Sequence, residues 1–99
     1  MKSMQPPFES AAARICRLRR IAERAERDCA ANGGRPDLLL RAALHHHAAG
    51  DVDIAREQAE TIVDRADNDP EYAPLWLIRQ ARDLIARIDG TDDASRVVG

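Results

Sequence analysis

The sequence predicts an all-α fold, an antiparallel bundle of about four helices with a helix-turn-helix at its centre. Three observations carry that prediction. Apolar residues recur at steps of three and four through four separate segments. The composition is 44% hydrophobic but only 3% aromatic, so the interior has to come from closely packed Ala, Leu, Ile and Val. The five glycines and five prolines sit near the edges of those segments, where they punctuate helices. A chain of 99 residues suits one small domain with a modest core.

Residues 1–7 are polar and turn-forming and are expected to be disordered. The first helix is expected over 8–31, because Phe8, Ala11, Ile15, Leu18, Ala22, Ala25 and Cys29 form a heptad seam. Arg17, Arg20, Arg24 and Arg27 share the opposite face, and Asn32-Gly33-Gly34 supplies a left-handed stop. Pro36 opens a second helix over 36–49, with Asp37 complementing the helix dipole. Its apolar face reads Leu39, Leu40, Ala43, Leu44, His47 and Ala48.

Gly50 ends that helix, and Asp51 is expected to cap a third over 52–66. Val52, Ala55, Ala59, Ile62, Val63 and Ala66 turn inward there, while Asp53, Glu57, Glu60 and Asp64 form an acidic outer stripe. Asp67-Asn68-Asp69-Pro70 breaks the pattern. A fourth helix over 74–89 carries Leu77, Ile78, Ala81, Leu84, Ile85 and Ile88. Gly90 is expected to stop it, leaving 91–99 as a flexible tail.

The net charge of −2 is unevenly divided. Residues 1–50 hold nine Lys/Arg against five Asp/Glu, whereas 51–99 hold six against twelve. Such a dipolar layout fits an adaptor that meets partners partly through charge and argues against wrapping nucleic acid. Cys16 and Cys29 lie thirteen residues apart in one predicted helix. That is roughly 20 Å, beyond disulfide reach, so a reducing cytoplasm is the expected compartment. No stretch reads as a signal peptide or a membrane span, and no membrane association is expected.

No residue commits to a reaction. Successive residues on a helix point about 100° apart, so His45-His46-His47 fan around it and do not converge on a metal ion. The acidic stripe has no matching Glu-x-x-His elements on other helices, as a di-metal centre would require. The cysteines have no glycine-rich elbow and are expected to be small buried residues. The chain is therefore expected not to be an enzyme, with no catalytic residue, metal or cofactor. The arginine face is an alternative site for nucleic acid. Glu23, four residues from both Arg19 and Arg27, absorbs part of its charge, and no aromatics interleave for stacking. Of the three aromatics Phe8, Tyr72 and Trp76, the last is expected first as a core residue and second as an interface anchor.

The segment 38–66 resembles one tetratricopeptide repeat. Leu39, Ala42 and Ala43 match the regular positions of a repeat's first helix. Gly50-Asp51-Val52 stands where that family usually has Gly-Asp-Tyr, and Ala55 takes the place of its buried alanine. Ala59 and Ile62 fall on the aromatic and small positions of the second helix. The proline that usually follows, expected near Asp67, appears only at Pro70, and Trp76 resembles the start of a further repeat. Three repeats are the usual minimum for an independent array, so packing onto a partner or a second copy is expected. The length, the Gly-Asp turn and Pro74-Leu75-Trp76 are also similar to small bacterial type III secretion chaperones.

The resemblance implies a protein-protein interaction module, an adaptor or chaperone. Its groove is expected to be lined by Leu39, Ala43, His46 and Trp76, with Arg17, Arg20, Arg24 and Arg27 as a further partner-binding face. Self-association through the seam of the first helix is a variant of this reading. A phage- or plasmid-encoded inhibitor of a host complex, like an anti-CRISPR protein, is the alternative.

Overall fold

A computed structural model of the chain describes the backbone of residues 10–97 and the side chains of residues 10–90. Four helices form in order: α1 (Ala11–Ala31), α2 (Pro36–Ala48), α3 (Val52–Asn68) and α4 (Leu75–Val97). The expected disorder of 1–7 and the place of Phe8 lie outside the described residues.

Local chemistry fixes the helix ends. Ser10 Oγ accepts the Ala13 N–H at 3.0 Å, and this cap starts α1 at Ala11, three residues later than the seam suggested. At the other end the Gly34 N–H reaches back to the Cys29 carbonyl at 2.7 Å, closing α1 through two left-handed glycines. The end of α2 repeats the device. Gly50 has φ +93°, its N–H bonds to His47 O at 3.1 Å, and the Asp51 N–H bonds to His46 O at 2.8 Å. Pro36 occupies the first turn of α2, as expected.

Three further expectations about the helix ends are not met. Asp51 precedes α3 but its side chain does not cap it, because the carboxylate is engaged by Arg19. α3 runs on to Asn68, whose side-chain amide donates back to Asp64 O at 2.9 Å. α4 continues through Gly90 to Val97, so there is no stop at Gly90 and no loose segment over 91–97. Gly90 does not adopt positive φ, and no proline follows it. A glycine costs a helix about 1 kcal/mol, too little to end a long helix by itself.

The close packings run α1 on α2, α2 on α3 and α3 on α4, and α2 also touches α4. α2 thus packs closely against both α1 and α3 in a serial stack and also meets α4. The thinnest dimension is 19 Å, about two helix diameters. The core is Leu40, Ala43, Ala55, Ala59, Ile62, Ala73, Leu77, Ala81 and Leu84. Ala43, Ala55, Ala59 and Ala81 are fully buried, and their small side chains let the helices approach closely. Ile62, Leu77 and Leu84 supply the bulk, as their spacing predicts.

Helix lengths decide how much of each seam is covered. α2 has 13 residues and α1 has 21, so α2 spans about 20 Å of the roughly 32 Å of its neighbour. Leu18, Ala22, Ala25 and Cys29 are buried under it, while Ile15 is half-buried and Ala11 is exposed on the overhang. The seam proposed for self-association is therefore spent against α2 from Leu18 onward. Cys16 is exposed, contrary to expectation, because it lies half a turn around α1 from Ala25. On α2 the buried arc is Leu40, Ala42, Ala43 and His46, continued by Ala49 just past its end, since α1, α3 and α4 all pack against it. Leu44 and Ala48 are exposed and His47 is half-buried, although all three were expected inside. Val52 is also exposed, on the first turn of α3.

Candidate functional site

Two features draw polar or exposed side chains together. The first is a polar knot where α1, α2 and α3 meet, with His46 as its buried member. His46 is 5% exposed, and its Nε2 lies 2.7 Å from Glu26 Oε2. A carboxylate offers only acceptors, so Nε2 carries the proton of that bond. Gln58 donates to the same oxygen at 2.6 Å, joining α3 to α1. On the other side of the ring Nδ1 stands 3.5 Å from Asp51 Oδ2, at the limit of reach and without a hydrogen bond of good geometry.

Arg19 closes the knot with a two-pronged grip on Asp51, Nε to Oδ2 and Nη2 to Oδ1, both at 2.8 Å. That grip holds the Asp51 carboxyl below its ordinary pKa and raises that of the guanidinium. Arg35 acts likewise on Asp37, two residues along, and holds that carboxyl down too. Burial pushes the Cys29 thiol up, and its Sγ donates to Arg35 O at 3.3 Å. Among the described residues no group of three or more His, Cys, Asp or Glu is arranged to hold a metal ion. His45 turns away, with Nδ1 2.8 Å from the Arg41 carbonyl oxygen. The knot ties helices together, and sequence reasoning missed it because its five members lie between 5 and 39 residues apart.

The second feature is the outer face of α2. Asp37, Arg41, Leu44 and Ala48 follow helical steps along it. Arg41 borders a cleft of about 300 Å³ against α1, lined also by Ile21, Arg24, Ala25 and Asp28. Leu44 borders one of about 240 Å³ against α4, lined by Gln80, Asp83, Leu84 and Arg87. Trp76 stands one turn before Gln80 on the same stripe of α4. It is 56% exposed, and the adjoining Leu75 is 63% exposed.

The groove expected from sequence is therefore corrected. Ala43 is fully buried in the core, Leu39 packs against it, and His46 is enclosed in the knot, so none of them lines an open surface with Trp76. Trp76 is not a core residue, because the inward arc of α4 is filled by Leu77, Ala81 and Leu84. Arg17, Arg20, Arg24 and Arg27 are all exposed on α1, and only Arg24 of the four borders a described cleft. The acidic stripe Asp53, Glu57, Glu60 and Asp64 is exposed on α3, where Glu60 pairs with Arg56 at 3.3 Å. No helix among the described residues is long and apolar enough to cross a membrane.

A scan against models of protein families, a search of curated proteins and a search of solved structures each return no match.

Proposed function

We propose that the chain is a non-enzymatic interaction module, an adaptor or chaperone that binds a protein partner on the outer face of α2 and α4. One observation carries this reading: Leu75 and Trp76 lie exposed together at the start of α4, and the stripe from Trp76 leads into the cleft beside Leu44. A large aromatic side chain in water is a standing cost that a partner's pocket removes, and such residues dominate binding energies. The serial stack and the Gly50-Asp51 turn support a tetratricopeptide-like arrangement, in which helices left without neighbours meet a partner. A reducing, cytoplasmic setting belongs to the same reading, supported by two free cysteines, one of them exposed.

The test is affinity capture from an extract of the native host with the parent chain and with Trp76→Ala and Leu44→Asp. Both side chains are exposed, so the helical circular dichroism should persist. The expected result is one stoichiometric protein retained by the parent chain and lost from both variants. Equal retention by all three would remove this face from the account.

A further inference from the structure

Arg24 on α1 and Arg41 on α2 share one cleft, and neither makes an ion pair among the described residues. Asp28 borders the same cleft without pairing to either. Two guanidiniums that border one cleft from different helices present positive charge to it, and a carboxylate seated there would offer both forks an acceptor. Three residues along α2 from Arg41, on the same outer face, stands Leu44, which opens the neighbouring cleft against α4. Such neighbours have their Cβ atoms about 5–6 Å apart. The basic cleft and the apolar edge are thus parts of one surface, with Trp76 at its far side.

From this juxtaposition we infer that the partner contributes an acidic, amphipathic segment. An Asp or Glu of that segment sits over Arg24 and Arg41, and a large apolar residue, one helical turn or two extended residues away, sits over Leu44 and Trp76. The inference rests on the interaction reading above and gives its partner a chemistry. Nucleic acid fits this surface less well. The cleft at Arg24 and Arg41 has no aromatic platform for bases. Charged rims of this kind set orientation and association rate, while the apolar anchor sets lifetime.

Trp76 is the only tryptophan in the chain, so its emission reports on occupation of this face alone. The probe is a tryptophan-free synthetic peptide of Glu and Leu with helical spacing, compared with its Lys-for-Glu counterpart and with single-stranded polyuridine. The acidic peptide should shift Trp76 emission to shorter wavelength, and affinity should fall about tenfold in Arg24→Glu/Arg41→Glu, two exposed substitutions that leave helix content unchanged. Equal binding of the lysine peptide, binding indifferent to the two reversals, or binding of polyuridine alone would overturn the inference. A host partner that is lost from Trp76→Ala but kept by Arg24→Glu/Arg41→Glu would also overturn it, and would leave the interaction reading standing.

Discussion

His46 is the residue on which three helices converge, through Glu26 and Gln58 on one side and toward Asp51 and Arg19 on the other. Its replacement by Ala should cost about 2 kcal/mol in urea unfolding, because it removes a charge-assisted hydrogen bond and leaves a gap beside a partly buried carboxylate. A loss under about 0.5 kcal/mol would mean that the knot does not hold the helices. Asp51 makes the knot sensitive to acid. Arg19 holds its folded-state pKa below the ordinary 3.8, so its contribution is fully present above that value and is lost as pH falls through the depressed one. Arg19→Ala should therefore flatten the acid limb of stability between about pH 2 and 5, read from unfolding midpoints across that range. The run of three histidines was legible in the sequence, but which of them is buried was not. That depends on three neighbouring helices, and no periodicity within α2 contains them.

Glycine behaves differently at the ends of the elements. At Gly50 the backbone has φ +93°, and Gly50→Ala should destabilise by about 1–2 kcal/mol even though nothing lies within 4 Å of an added methyl. At Gly90 the backbone is helical and equally uncrowded, so Gly90→Ala should stabilise by about 0.5–1 kcal/mol. Opposite signs in thermal unfolding confirm the two assignments, and equal signs contradict one of them. The same contrast explains which helix ends the sequence disclosed. Gly33-Gly34 lies before Pro36, and Gly50 lies before a fresh apolar phase, so each comes with a second signal. Gly90 has none, and a lone glycine is a weaker break than the favourable continuation of a helix. Asp51 stands at a cap position by sequence, but the cross-helix Arg19 holds its carboxylate in place of the local amides.

For the whole molecule, the four helices and nearly all of the inward positions on α3 and α4 were legible, because one neighbour on each side of a hairpin imposes a simple period. What the sequence could not show is coverage. α2 is crowded on one arc by three helices, which rotated its buried set away from Leu44 and Ala48, and it is too short to cover the start of α1. Trp76 was legible as an anchor candidate, yet its exposure follows only from the filling of α4's inner arc by Leu77, Ala81 and Leu84. The proposed partner covers the outer face of α2 and the stripe of α4 that begins at Trp76. Hydrogen–deuterium exchange of the chain alone and in complex with its captured partner reads out that coverage. Added protection is expected over residues 41–48 and 76–87 with α3 unchanged, and protection confined to the acidic stripe of α3 would overturn the proposal.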